Sequence, residues 1–294
     1  MKHTVFEGSG VAMVTPLTEL GVNFDALEKI TEFQIANGTD ALIVCGTTGE
    51  APTLDDDEHL DAIECVVSAA KKRVPVIAGT GSNNTAHAVM MNKEAEKRGA
   101  DGFLWVAPYY NKTTQRGLVK HYETLAAASD LPAIIYNVPS RTGTDIKPET
   151  VEELSKIENI VAIKEATGDV ARAVDIINRC GDRIDVYSGN DDITVPLMSV
   201  GAKGVISVLS NIMPKETHDM CRLCMNKKYD EAGALQVKYY RLIKALFCEV
   251  NPIPVKTAMN LMNMNAGPLR LPLYEMAESN LEFLKSEMKK LGLI

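Results

Sequence analysis

The 294-residue chain has no excess of positive charge. It carries 31 Lys and Arg against 39 Asp and Glu, a formal net charge of −8. That balance argues against a non-specific nucleic-acid binder, which needs clustered cations to displace counterions. Aromatics are scarce at 5%, with one Trp, so a stacking platform for bases is also disfavoured. No apolar run reaches the roughly 18 residues of a membrane helix, and residues 1–10 lack the charged-then-apolar layout of a secretion signal. Neither G-x-G-x-x-G nor G-x₄-G-K-[ST] occurs, which removes the usual nucleotide-loop signatures. The six Cys are scattered in apolar surroundings, as reduced core cysteines are, and point to a cytoplasmic protein. Cys221 and Cys224 form a single C-x-x-C, but with no second pair and no H-x₃₋₅-H nothing suggests zinc.

Eight short β-rich runs are present: residues 10–16, 41–47, 75–81, 102–108, 132–139, 160–167, 184–190 and 204–210. Their spacing leaves room for a loop and one helix after each. Between them, helical periodicity recurs. After Thr53 an acidic first turn (Asp55 to Glu58) precedes Leu60, Ile63, Val67 and Ala70, and Lys71 to Arg73 close the segment, a charge order that complements the helix dipole. Strands alternating with helices predict a parallel sheet, and eight units fit an α/β (β/α)₈ TIM barrel, with an open doubly wound sheet as the rival. The last 80 or so residues read as helices over 215–226, 229–247, 254–262 and 273–291. One closes the barrel and the rest form a C-terminal helical appendage, so the chain divides into a barrel over 1–225 and a helical region over 226–294.

Barrel active sites form at the C-terminal ends of the strands. In the sixth run, Ala162, Lys164 and Ala166 share one face and Val161 and Ile163 the other. The valine and isoleucine suit the helix layer, so the alanines face inward and leave space around Lys164. A lysine there is either ion-paired with a neighbouring carboxylate or an amine whose pKa burial lowers until it can attack a carbonyl. The fifth run sets Tyr136 on the face of Ile134, pointing inward near Lys164. Arg141, just beyond, is either a solvated charge or a bidentate carboxylate clamp. The second run ends in GTTGE (46–50), two hydroxyls between glycines that permit a tight turn with exposed N–H groups. The fourth ends in Tyr109-Tyr110-Asn111. Residues 188–191 and 204–207 occupy the place of a barrel phosphate cup, but 188–191 contain no basic residue.

Taken together, GTTGE (46–50), YYN (109–111), YNVPSRTG (136–143), IKEATGD (163–169), SGND (188–191), GVIS (204–207) and NPIPVK (251–256) make the chain resemble the dihydrodipicolinate synthase family. The resemblance runs from about residue 8 to the C-terminus, in order and with spacing intact. It implies a (β/α)₈ barrel lyase that condenses pyruvate with L-aspartate 4-semialdehyde in diaminopimelate and lysine biosynthesis, with no metal or organic cofactor. It implies Lys164 as the Schiff-base lysine, Tyr136 as proton donor and acceptor, and Thr47 and Tyr110 as the rest of a proton relay, Tyr110 serving a neighbouring subunit. Thr48, Gly189 and the backbone at Ile206 would contact pyruvate, and Arg141 the carboxylate of the semialdehyde. The assembly implied is a homotetramer, a dimer of dimers.

Some family members are inhibited by L-lysine, and His59, Asn83 and Tyr109 match that site. Asp56 stands where sensitive members have His, and His87 where they have Glu. Losing the glutamate removes a partner for the lysine ammonium, so weak or absent inhibition is expected; a steep fall of activity in sub-millimolar lysine would contradict it. Two rival functions remain at this point. One is another pyruvate-lysine aldolase, such as N-acetylneuraminate lyase or a 2-keto-3-deoxy sugar acid aldolase; the other is a non-catalytic barrel that binds a keto acid.

Overall fold

The computed structural model describes residues 4–294. Eight parallel strands close into a barrel: β1 (Gly8–Ala12), β2 (Ala41–Val44), β3 (Val76–Gly79), β4 (Gly102–Val106), β5 (Ala133–Asn137), β6 (Ile160–Glu165), β7 (Asp185–Ser188) and β8 (Gly204–Ser207). Each pairs with its chain neighbours, and β1 closes the ring by pairing with both β2 and β8. At the closure Gly204 lies so near the Gly8 carbonyl that a Cβ would collide with backbone, and only glycine lets these strands meet. The expected first strand begins two residues early and ends at Ala12, because the GSG segment is drawn into the closure.

Helices follow the strands: α1 (Phe24–Ala36), α2 (Asp56–Ala70), α3 (Thr85–Lys97), α4 (Gln115–Ala126), the single turn α5 (Pro139–Thr142), α6 (Pro148–Leu154), α7 (Val170–Cys180), α8 (Thr194–Ser199) and α9 (Pro214–Met225). Asn23, Asp55, Asn84, Thr114 and Asp169 cap five of them, each side chain accepting from a first-turn N–H. Asp55 and Glu58 form a reciprocal capping box on α2, as its acidic first turn suggests. Cys221 and Cys224 lie inside α9, both in the apolar core.

Beyond the barrel come α10 (Tyr229–Leu246), α11 (Ile253–Leu261) and α12 (Glu278–Lys290). The last is shorter than the expected 273–291. Leu271 and Tyr274 are exposed, and Met276 alone of the stretch before Glu278 packs on the core, so little holds it as helix.

Two apolar clusters reflect the two sides of the barrel wall. Leu42, Val44, Phe103, Trp105, Ile135 and Ile163 pack against the helices. Ala12, Ile43, Leu104, Ile134, Tyr136, Ala162 and Ile206 fill the interior. Alternation places Ala162 and Lys164 inward as expected, but Val161 is a correction: it joins the interior. The β5–β6 register runs from Ala133 opposite Ile160 directly to Ile134 opposite Ala162, leaving Val161 as an unpaired bulge.

Candidate active site

The sequence of the β2–α2 connection dictates an unusual turn. Thr47–Gly49 form a single 3₁₀ turn bracketed by Cys45 and Glu50, both at φ 55°. Left-handed backbone at non-glycine residues is held only where tertiary contacts over-determine it. Here they do: the Glu50 carboxylate, fully buried, accepts from Lys256 Nζ on α11 and from the Arg270 N–H at 3.0 Å. Two residues earlier, Asn251 Nδ2 donates to Thr48 Oγ1 at 3.0 Å. The C-terminal region therefore clamps the turn that carries both threonines. Gly49 and Glu50 use their N–H groups within the turn, whereas Thr47 and Thr48, as its first residues, have no helical acceptor.

A cavity of about 190 Å³ opens at the C-terminal mouth of the barrel. Thr47, Thr48, Tyr136, Arg141, Lys164 and Gly189 all line it, so six of the candidate site residues converge. Lys164 sits directly opposite Tyr136 in the β5–β6 register, its Nζ 4.3 Å from the phenol ring centroid. It is 6% exposed, and no ion pair reaches it among the described residues. Burial lowers its pKa to about 8; the Asp191 charge opposes this and the Arg141 charge adds to it. The ion-paired alternative for Lys164 is thus not what the structure holds.

Burial pushes the Tyr136 phenol up, while the Arg141 charge and a hydrogen bond with the Thr47 side chain pull it down. Arg141 donates from Nη2 to the Asn251 carbonyl at 3.1 Å, which turns its guanidinium over the mouth. Ile206 lies in the interior cluster with Tyr136. The Gly189 N–H is already given to the Glu165 carbonyl at 2.7 Å, and a Cβ there would strike Ala166, so this glycine is required by close backbone packing.

Tyr110 is not in the cavity. It is 90% exposed at φ 66°, held away from the body of its own chain. Tyr109 and His59 line an adjoining cavity of about 380 Å³ that shares Thr47, Tyr136 and Arg141 with the first. Asn83 is tied to it through the Tyr109 carbonyl, 3.3 Å from Nδ2. Asp56 and His87, on the same lining, pair with each other at 2.9 Å.

Three partners escaped sequence reasoning. Asp191, in the segment that lacked a basic residue, is buried and accepts from Ser207 Oγ, Val208 N and Leu209 N at 2.5, 2.9 and 3.0 Å. Burial pushes its carboxyl up, with these bonds opposing. Asn251 and Lys256 both belong to the NPIPVK run, whose polar ends in an otherwise apolar stretch were the available signal. On the outer face of β6, Glu165 accepts from Arg172 Nε and Asn137 Nδ2, each at 3.1 Å, bracing the residues next to Lys164 and Tyr136.

A closed (β/α)₈ barrel with a buried, unpaired lysine near the end of its sixth strand defines a class: the lysine-dependent barrel lyases. The match is specific within it. The chain belongs to the dihydrodipicolinate synthetase family, whose model matches residues 5–291. It is 53% identical over 294 residues to the 4-hydroxy-tetrahydrodipicolinate synthase of Acetivibrio thermocellus, with all of both chains covered. Among solved structures, the Aquifex aeolicus dihydrodipicolinate synthase superposes with a TM-score of 0.96 at 47% identity, covering 98% of this chain and 99% of that one. The Acinetobacter baumannii dihydrodipicolinate synthase, solved in complex with pyruvate, gives 0.96 at 45% identity, covering 99% and 100%.

Proposed function

We infer that the protein condenses pyruvate with L-aspartate 4-semialdehyde through a Schiff base on Lys164. The observation that carries this reading is the isolated amine: buried, without a counter-ion, its pKa lowered to about 8 and its Nζ beside a phenol. The neutral amine attacks C2 of pyruvate and water leaves, giving an iminium. The iminium is an electron sink, so loss of a methyl proton to Tyr136 yields an enamine nucleophilic at C3. That carbon attacks the aldehyde, whose oxygen takes up a proton. The amine of the semialdehyde portion then attacks C2, closes the ring and releases Lys164.

Thr48 and the leading N–H groups of its turn hold the pyruvate carboxylate, with Ile206 and Gly189 backbone alongside, and Arg141 receives the carboxylate of the semialdehyde. Thr47 passes protons between Tyr136 and Tyr110. The outward-held Tyr110 supports a relay completed across a subunit interface and, with it, a homotetramer. We take 1–225 as the barrel and 226–294 as the helical region, and place the protein in the cytoplasm; among the described residues no helix is long and apolar enough to cross a membrane. Borohydride added with pyruvate should leave a stable adduct on Lys164, seen by mass spectrometry and absent in Lys164→Ala. A wild-type protein that gives no adduct would end the Schiff-base reading.

A further inference from the structure

Besides the Arg270 N–H on Glu50, two side chains of the C-terminal region bind the threonine turn, and they differ in kind. Lys256 to Glu50 is charged and dry, with both side chains buried. Asn251 to Thr48 is neutral, and both of its members line the cavity that holds Lys164. A threonine hydroxyl has one hydrogen to give and two lone pairs. When its oxygen accepts from the Asn251 amide, the hydrogen must be directed elsewhere. The open side of the Thr48 oxygen is the cavity, because the residue is otherwise buried.

We propose that Asn251 is a positioning residue for the pyruvate carboxylate: its side-chain amide fixes the Thr48 hydroxyl so that the hydrogen is offered to the carboxylate. The inference rests on the Schiff-base reading above and adds a residue to it. Asn251 is suited to the task because its backbone is itself held. Its carbonyl accepts from Arg141 Nη2, and Lys256, five residues on, is anchored to Glu50. A freely rotating hydroxyl would have to be ordered at each binding event; one already committed as acceptor to Asn251 is ordered beforehand.

The test is steady-state kinetics combined with a double-mutant cycle. Asn251→Ala should raise the half-saturating pyruvate concentration about tenfold while kcat stays within about threefold, the pattern of lost ground-state binding. Asn251→Asp, which keeps the shape but draws the hydroxyl hydrogen to itself and adds a negative charge, should raise it further, towards a hundredfold on the order of a lost charge-assisted bond. In a Thr48→Val background Asn251→Ala should add less than about twofold, because the hydroxyl it positions is gone. An unmoved half-saturation in Asn251→Ala, or a full effect that survives in Thr48→Val, would overturn the proposal. If Asn251→Ala does not fold, Asn251→Asp carries the test, and an unmoved half-saturation there overturns it equally. Borohydride labelling of the wild-type separates the two readings: its absence sinks the Schiff base itself, whereas labelling with unmoved half-saturation sinks only the role of Asn251.

Discussion

Among the described residues two lysines are buried, Lys164 and Lys256, and their surroundings are opposite. Lys256, 1% exposed, is locked to Glu50; burial lowers its pKa, and the charge and hydrogen bond of Glu50 oppose that fall. Lys164, 6% exposed, has a phenol ring, two alanines and a cavity, with Asp191 near enough to be felt but spent on Ser207 and two backbone N–H groups. A buried charge must be paired, neutralised or used. Lys256 is paired and ties the C-terminal region to the threonine turn. Lys164 is left partly neutral beside space, which is what a nucleophile needs and a structural ion does not.

The sharpest way to break this contrast is to replace each lysine by Met. Lys164→Met should abolish both adduct formation and condensation, measured by mass spectrometry and a coupled assay, without loss of the fold. Lys256→Met should do the reverse in kind: it leaves the buried Glu50 charge without a counter-ion, the Arg270 N–H remaining, and costs about 3–5 kcal/mol of stability. Urea unfolding reads that loss, and Glu50→Gln added to Lys256→Met should recover much of it. If Lys256→Met were as stable as wild type, the pair would not be the clamp described here.

A smaller effect tests the cost of keeping Lys164 unpaired. Its pKa falls from 10.5 to about 8 on folding, so the unfolded chain binds the proton more tightly. The resulting destabilisation is fully present below about pH 8 and is relieved as pH rises towards 10.5. Lys164→Met should therefore be more stable than wild type by about 1–3 kcal/mol near neutral pH, with the gap closing in alkali. A Met variant less stable at neutral pH would show that Lys164 has a hidden partner. The rate of adduct formation should rise with pH and level off above about 8, as the neutral amine accumulates; a rate flat through that region would mean the amine is already neutral.

What the sequence revealed follows the range of the interactions involved. Eight strand runs and their helices are local patterns, and the shared face of Ala162, Lys164 and Ala166 points Lys164 towards Tyr136, although the bulge at Val161 that makes this face the inner one is not visible in the spacing. Whether Lys164 is paired is tertiary information, which no spacing encodes; the answer depends on Asp191 being taken up by β8. The role of the tail was equally hidden, because Asn251 and Lys256 act on residues some 200 positions earlier. β1 starts earlier than its composition suggests because glycine is a poor strand former, whereas the closing barrel uses Gly8 at a positive φ and needs Gly204 for close approach to it. α12 starts later than the apolar spacing at Leu273 and Met276 suggests because, of these two, only Met276 packs on the core.

The bulge at Val161 has a consequence for the chemistry that is a matter of parity. The start of β6 is fixed by the Ala133 N–H on the Asn159 carbonyl, and its far end by Glu165 on Arg172. Counted in strict alternation from Ile160, which faces the helices, every even-numbered residue of the strand would face them too, Lys164 included. The one uncounted residue reverses the sum. Val161 acts as a parity bit in the strand: with it, the amine falls on the side of the carbonyl compound, and were the bulge ironed out with the chain length unchanged, the same lysine would be delivered to the helix layer and Glu165 to the cavity.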